Sequence, residues 1–248
     1  MDTVRSHDGT TIAFDRVGDG PPIITVVGAF NDRATAAPLA KFLEPQFTVY
    51  TYDRRGRGGS GDTLPYAVDR EVDDLCALID HAGGSAALFG FSSGAVLALK
   101  AAARGAAVPK LALYEPPPVL PSDLPSRIDA LVRAGKRGEA VELFQTEAVR
   151  IPPEVVAQIR QSPYWPALEA MAHTVVYDVT ITSDTSLDLA LVSVPTLVLS
   201  GANSPPMLRD AAQAVADAVA DGEHRILAGQ THDLVPEVLG PILTGFYA

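Results

Sequence analysis

Short apolar runs alternate with longer amphipathic segments along most of the chain. Two segments near the start, TVRSH and TIAFDRV, alternate apolar and polar residues around Asp8-Gly9, a pair typical of tight turns, and they predict a β-hairpin. Continuous apolar runs follow, and such runs are typical of strands that are covered on both faces in a parallel sheet. These runs lie at 22–29, 47–53, 86–91, 111–115, 195–201 and 224–229.

Helical patterns separate most of these runs, with apolar residues three and four positions apart. The helical patterns lie at 34–43, 68–83, 93–105, 209–221 and 236–247. Helices that alternate with buried strands predict an α/β fold, in which a mostly parallel central sheet is flanked by helices. A chain of 248 residues buries roughly 70–75% of the surface that its unfolded form exposes, so we expect one ample core.

The alternation stops between residues 116 and 186. Three consecutive prolines, 116–118, end the sixth strand, and the stretch after them shows helical patterns without a strand, at 126–134, 137–149 and 153–161. A connection of about 70 residues is too long to lack structure of its own. We therefore predict a core domain made of residues 1–116 and 186–248, with a small helical cap, residues 117–185, inserted after the sixth strand and laid over the edge of the sheet.

The composition argues against some classes of binding partner and some cellular locations. The chain has 19 Lys and Arg against 30 Asp and Glu, a net charge of −11, which argues against binding to nucleic acid. No apolar run approaches the roughly 18–20 residues that span a bilayer, and the polar N-terminus lacks the apolar core of a signal peptide. We therefore expect a cytoplasmic protein. The sequence leaves its oligomeric state open, and a homodimer is among the states that it allows.

The single cysteine limits the redox and metal chemistry that the chain can perform. Cys76 has no second cysteine with which to form a disulfide, and a zinc cage built from cysteines needs several. Cys76 lies in the apolar stripe of a helical pattern, so we expect a buried, inert thiol.

The segment Gly90-Phe91-Ser92-Ser93-Gly94 carries the main chemical signal. It joins a predicted strand to a predicted helix, and a nucleophile on such a turn has a strained backbone that leaves no room for side chains two positions away. The helix that follows directs its N-terminal amides at the site. The pattern predicts that Ser92 is a nucleophile and that the backbone N–H of Ser93 is one oxyanion donor.

With this motif the chain resembles the α/β-hydrolase superfamily, and the resemblance covers nearly all of its length. The family places a turn after the strand before its first helix, and Val27-Gly28-Ala29 stands there, with Val27 where a histidine is usual. The resemblance implies that Ala29, or in a shifted register Phe30, supplies the second oxyanion amide.

The segment at 53–60, DRRGRGGS, is similar to a loop motif of the same family, D-x-R-G-x-G-x-S. We interpret this loop as structural, with its arginines held by neighbouring carboxylates and its glycines permitting the turn. A phosphate-binding role for the three arginines is the alternative.

His232 is the predicted base among five histidines. The triad of this fold runs nucleophile, acid, histidine along the chain, and His232 follows the last predicted strand. His173 falls in the predicted cap, where it lines the pocket or is exposed. We expect His7, His81 and His224 to be structural or solvated.

The acid position departs from the family pattern, because Asn203 stands where a G-x-x-D turn would place aspartate. One interpretation is that Asn203 orients His232 without carrying a charge. A second is that Glu115, at the end of the sixth strand, supplies the carboxylate. A third is that Asn203 marks an engineered change or a natural loss of hydrolysis.

The resemblance implies a cofactor-independent serine hydrolase that acts on an ester, lactone or related acyl substrate. In this mechanism Ser92, His232 and Asn203 are catalytic, Ala29 and Ser93 form the oxyanion hole, and no metal or organic cofactor is needed. The alternative is a non-hydrolytic or weakly active member of the same fold, such as a C–C bond cleaving, lyase-like, cyclase-like, haloperoxidase-like or ligand-binding protein. Aromatic residues of the cap either form the wall of the substrate pocket or pack the cap itself.

Overall fold

A computed structural model describes all 248 residues. Its eight strands form one sheet in the order β1-β2-β4-β3-β5-β6-β7-β8, in which β2 is antiparallel to both neighbours and the six strands from β4 to β8 are mutually parallel. The strands are β1 (Asp2–Arg5), β2 (Thr11–Val17), β3 (Pro22–Val26), β4 (Thr48–Tyr52), β5 (Ala87–Phe91), β6 (Leu111–Tyr114), β7 (Thr196–Gly201) and β8 (Gly222–Leu227).

Helices flank this sheet, as the sequence predicts for an α/β-hydrolase fold. The helices of the core are α1 (Arg33–Leu43), α2 (Val68–His81), α3 (Ser93–Ala103), α9 (Pro206–Ala218) and α10 (Pro236–Tyr247). None of the ten α-helices of the chain is long and apolar enough to cross a membrane. The prediction of the fold class is confirmed.

Strand β8 differs from its prediction as a strand covered on both faces. It lies at the end of the sheet and pairs with β7 alone, and most of its side chains are exposed. The strands between β4 and β7, by contrast, are fully buried at nearly every position.

The chain divides into two compact units, Met1–Pro118 with Ser186–Ala248, and Val119–Thr185. The second unit, called here the helical insert, begins two residues later than predicted. It contains α4 (Leu124–Arg133), α5 (Arg137–Leu143), a π-helical turn (Phe144–Ala148), α6 (Pro153–Ile159), α7 (Trp165–Ala170) and α8 (Ala172–Ser183). Placement of this insert over the edge of the sheet stays a prediction.

The sequence did not predict α7 or α8. In α8 the residues are largely β-branched, which favours strands, and two thirds of them are buried, so no polar face reveals a helical period. Helix α7 has six residues, too few for a periodic pattern to be visible.

The arginines of the 53–60 loop are buried structural ions. Arg54 forms two hydrogen bonds of 2.8 Å with Glu71, and Arg55 forms two of 2.8 and 2.7 Å with Asp74. Arg57 donates to two backbone carbonyl oxygens instead, and none of the three arginines is more than 2% exposed. This arrangement supports the structural interpretation of the loop, because no arginine presents its charge to a bound phosphate.

Replacing Glu71 with Gln tests how much this buried pairing stabilises the fold. The change leaves the charge of Arg54 buried without its partner, so we expect the free energy of unfolding to fall by about 3–5 kcal/mol. Urea unfolding followed by circular dichroism measures it. As a matched control, Asp129→Asn removes the exposed pair with Arg133 and should cost less than about 1 kcal/mol. Equal losses in both variants would contradict the structural role.

Candidate active site

Ser92 lies between the end of β5 and the start of α3 with a strained backbone. Its φ of 56° and ψ of −128° fall outside the regions that residues with side chains ordinarily adopt. Its N–H donates to the carbonyl oxygen of Tyr114 on β6 at 2.9 Å, which fixes the turn to the sheet. Ser92 is the N-cap residue of α3, but its hydroxyl accepts no hydrogen bond from the N–H groups of the first turn of that helix.

Two glycines make this turn possible. A Cβ atom on Gly90 would lie 2.5 Å from the Cα atom of Ala95, and one on Gly94 would lie 2.1 Å from the carbonyl oxygen of Val26. Both distances are below any real contact, so each position must be glycine for strand, turn and helix to pack together. The spacing of the motif is therefore a steric requirement of the turn.

The turn after β3 lies directly against the serine. A Cβ atom on Gly28 would lie 2.7 Å from the Cβ atom of Ser92. Arg57 donates to the carbonyl oxygen of Gly28 at 2.5 Å, and Phe30 has a positive φ of 58°. The N–H of Ala29 takes part in none of the backbone hydrogen bonds of this turn.

Ser93 is the first residue of α3, so its N–H belongs to the positive end of that helix. The structure thus brings both predicted oxyanion residues, Ala29 and Ser93, to the backbone around Ser92. The predicted donor roles themselves stay a proposal.

Glu115 is the acid that the structure brings to His232. Its Oε2 atom is hydrogen-bonded to Nδ1 of His232 by a short contact, while Oε1 accepts a 2.7 Å hydrogen bond from the N–H of Gly201 at the end of β7. The Glu115 side chain is completely buried and the His232 side chain is 37% exposed. A buried carboxylate thus contacts one ring nitrogen of a side chain that is itself only partly buried.

The surroundings of Glu115 keep its carboxylate charged. Burial alone would raise its pKa, but the hydrogen bonds from His232 and Gly201 outweigh burial, so the pKa of Glu115 lies below its usual range. The buried hydroxyl of Ser204 also lies beside the carboxylate and favours the charged form, although without a hydrogen bond of normal geometry. Glu115 has a positive φ of 51°, which turns its side chain towards β7 and away from the path of β6.

His232 is positioned by the two strands nearest to it. The centroid of its ring lies 4.7 Å from that of Phe91, the residue before Ser92. The Tyr114 hydroxyl donates a hydrogen bond to the carbonyl oxygen of Thr231, the residue before His232. No hydrogen bond joins Ser92 Oγ to His232 Nε2 in this structure. In enzymes without substrate such bonds are often long, and they shorten in the reacting complex.

Asn203 does not occupy the place that the sequence predicts for it. It lies in the turn after β7 with an exposed side chain, and its backbone N–H donates to the carbonyl oxygen of Gln230 at 2.9 Å. The Nδ1 atom of His232 is already bound to Glu115. The assignment of Asn203 as the residue that orients His232 is therefore wrong, and the interpretation that named Glu115 agrees with the geometry.

Several residues of the site were not predicted. Tyr114, Gly201 and Ser204 hold the acid and the histidine loop through long-range contacts, which no local motif reveals. Arg57 was visible in the sequence, but its bond to Gly28 depends on how two distant loops meet.

Three of the remaining histidines have surroundings typical of structural or solvated residues. His224 Nε2 is 2.8 Å from the hydroxyl of Ser200, the ring of His81 packs edge-on against Phe14, and His7 is exposed. Cys76 is half-buried rather than buried, and burial raises the pKa of its thiol, which keeps it unreactive.

Comparison with known proteins identifies the family. Residues 7–238 match the model of the alpha/beta hydrolase family, and the chain belongs to that family. It is similar over its full length to the crystal structure of an alpha/beta hydrolase from Sphaerobacter thermophilus, with 49% identity, a TM-score of 0.91 and 100% of both chains covered.

Two further relatives have names that indicate chemistry. A thermophilic esterase from Thermogutta terrifontis is 25% identical, with a TM-score of 0.74, over 98% of this chain and 95% of that one. N-formylmaleamate deformylase from Pseudomonas putida is 34% identical over 139 residues, which are 51% of this chain and 52% of the deformylase. The match thus spans about half the length of that curated relative.

Gly94→Ala tests the steric requirement at the turn. The added methyl group would overlap the carbonyl oxygen of Val26, so we expect about 3 kcal/mol or more of lost stability, measured by urea unfolding. The matched control is Gly245→Ala in α10, where an added Cβ meets nothing within 4 Å. This control should stabilise the protein by roughly 0.5–1 kcal/mol, and the same sign in both variants would contradict the prediction.

The lowered pKa of Glu115 predicts a pH-dependent contribution to stability. A carboxyl whose pKa is lower in the folded protein than in the unfolded chain stabilises the fold above its unfolded value, and that contribution is lost as the pH falls through the folded value. We therefore expect wild type to be more stable than Glu115→Gln at pH 7. The difference should shrink below about pH 4.3, the ordinary range of a glutamate. Thermal unfolding at pH 7 and pH 3.5 measures it, and an unchanged difference would contradict the prediction.

Proposed function

We propose that this chain is a serine hydrolase that cleaves esters, lactones or related activated acyl compounds through Ser92, His232 and Glu115. The observation that carries the proposal is the buried contact between Glu115 and Nδ1 of His232 beside the strained turn that presents Ser92. A carboxylate in this place fixes the tautomer of the imidazole, so that Nε2 accepts the proton of the serine.

The reaction follows from the roles of these groups. Ser92 Oγ bonds to the carbonyl carbon while His232 Nε2 takes the serine proton, and the electron pair of the C=O bond moves onto its oxygen. The N–H groups of Ser93 and Ala29 stabilise this oxyanion. When the C=O bond re-forms, the leaving oxygen departs with the proton from His232, and water repeats the sequence to release the acid and Ser92.

The Glu115 carboxylate acts through His232 and does not touch the substrate in this scheme. It stabilises the imidazolium that forms while the histidine holds the proton, and the N–H of Gly201 keeps it in place. One argument for the non-hydrolytic alternative was a neutral residue at the acid position. That argument no longer applies, because a carboxylate contacts the histidine, although the variety of reactions on this fold remains an argument for the alternative.

The comparisons support the acyl-transfer class without identifying a substrate. The Thermogutta protein is described as an esterase and the Pseudomonas relative as a deformylase. A formyl amide is therefore worth assaying beside simple esters.

Turnover of p-nitrophenyl acetate and butyrate tests the proposal. Ser92→Ala should abolish turnover, and Glu115→Gln should lower kcat by about 10⁴, as the corresponding change from aspartate to asparagine does in a serine protease. The amide keeps the shape of the side chain but loses the charge, and it can hold the wrong tautomer of His232. Circular dichroism shows whether Glu115→Gln stays folded.

Asn203→Ala is the matched control for the acid. Asn203 is exposed and the Nδ1 atom of His232 is bonded to Glu115 instead, so kcat should stay close to that of wild type. Loss of activity in Asn203→Ala together with a fully active Glu115→Gln would return the orienting role to Asn203. A wild-type protein whose Ser92 is not labelled by a fluorophosphonate would contradict hydrolysis altogether.

A further inference from the structure

Strand β8 leaves one edge of the sheet open. It pairs with β7 on one side and with no strand on the other, and it contains no proline. Its side chains from Gly222 to Ile226 are mostly exposed, including the apolar side chain of Ile226, which is 58% exposed. Open edges of this kind present unpaired backbone groups that another strand can bind.

The hydrogen bonds to β7 determine which residues face the open edge. Thr196 N–H donates to the carbonyl oxygen of Asp221 at 2.8 Å, and Ala202 N–H donates to that of Leu227 at 2.9 Å. Successive residues of a strand direct their backbone N–H and C=O groups alternately to one side and to the other. The odd-numbered residues of β8 therefore bond to β7. The N–H and C=O groups of Gly222, His224 and Ile226 therefore point outward.

The charges of β8 are arranged symmetrically about His224. Glu223 and Arg225 lie on one face of the strand, one residue before and one after it, and they form an ion pair with N···O distances of 2.5 and 2.9 Å. When such a strand meets an identical antiparallel strand with His224 at the centre, each glutamate comes opposite an arginine.

We propose that β8 pairs antiparallel with β8 of a second copy of this chain, with His224 facing His224 across a two-fold axis. Gly222 then faces Ile226 of the second copy, and each of the facing pairs 222–226, 224–224 and 226–222 exchanges two backbone hydrogen bonds. Glu223 and Arg225 fall on the alternate, non-hydrogen-bonded pairs, where side chains on antiparallel strands approach most closely. The two sheets become one continuous sheet.

The residue at the centre of this arrangement is compatible with it. His224 Nε2 is 2.8 Å from the hydroxyl of Ser200, and Nδ1 is 2.9 Å from Oε1 of Gln213, so the ring is held against its own subunit. Burial lowers the pKa of His224, which leaves the two facing imidazoles uncharged at neutral pH. Ile226 of one copy lies opposite Gly222 of the other, which adds no side chain of its own to the facing pair.

The opposite edge of the sheet does not offer the same complementarity. Ser6 N–H donates to the carbonyl oxygen of Thr10, which assigns the even-numbered residues of β1 to its partner β2 and leaves Thr3 and Arg5 facing outward. When two identical edge strands pair antiparallel, two residues that face each other must both direct their backbone N–H and C=O groups at the open edge, or must both direct them at their own sheet. Asp2 and Arg5 differ in this respect, so no register of two β1 strands places them directly opposite each other.

Reversing one charge at a time tests the proposal. Arg225→Glu gives a strand with two glutamates and Glu223→Arg gives one with two arginines. Each variant alone should dimerise at least about tenfold more weakly than wild type, because like charges then face each other. Sedimentation equilibrium measures the dimer, and thermal unfolding shows that both variants stay folded.

Mixing the two variants is the decisive step. A strand with two glutamates complements a strand with two arginines in the same register, so the mixture should form a heterodimer, and the double variant Glu223→Arg with Arg225→Glu should form a homodimer again. Arg16→Glu on β2 is the matched control, since it reverses an exposed charge near the other end of the same sheet and should leave the dimer unchanged.

Three results would overturn the proposal. A wild-type chain that stays monomeric at every concentration would mean that the charges of β8 protect the edge from pairing. A wild-type dimer that survives both single reversals would mean that another surface forms it. Single variants that are monomers and stay so on mixing would rule out this register.

Discussion

The buried carboxylate of Glu115 determines how three separate parts of the chain meet. A fully buried negative charge is stable only where hydrogen-bond donors surround it, and here the donors come from the end of β7 and from the loop after β8. The carboxylate therefore fixes the Gly201 turn and the His232 loop relative to β6. Because β6 lies next to β5, the same arrangement places the histidine beside the strand that precedes Ser92.

Backbone strain is concentrated at this site. Four residues other than glycine have a positive φ, and three of them are Phe30, Ser92 and Glu115. Each follows a parallel strand at its carboxyl end and redirects a side chain or an amide towards one place. The strands around them are buried at nearly every position, so the sheet can hold conformations that a loop alone would relax.

The sequence was sufficient where the constraint is local. The glycines around Ser92 are required by contacts within the turn itself, and His232 follows from chain order, so both residues could be named without coordinates. The acid could not, because the ends of β6 and β7 are neighbours and either can reach the histidine. Asn203 matched the usual position along the chain, yet the hydrogen bonds of Glu115 to His232 and Gly201 show which strand end brings a carboxylate to the histidine. In α8 the β-branched, buried residues concealed the helix for a similar reason: packing overrode local preference.

Charged residues are buried and paired at the centre of the fold, whereas they are exposed to solvent at the edge of the sheet. Arg54 and Arg55 are enclosed with carboxylates of their own chain, so their charges are fully compensated and fix loops in place. Glu223 and Arg225 lie on an exposed strand, where their mutual attraction is screened and contributes little to the stability of a single chain. An exposed pair of this kind can exchange partners at small cost, whereas a buried one cannot. The charges that hold the 53–60 loop in place and those on the exposed edge of the sheet are therefore separate sets.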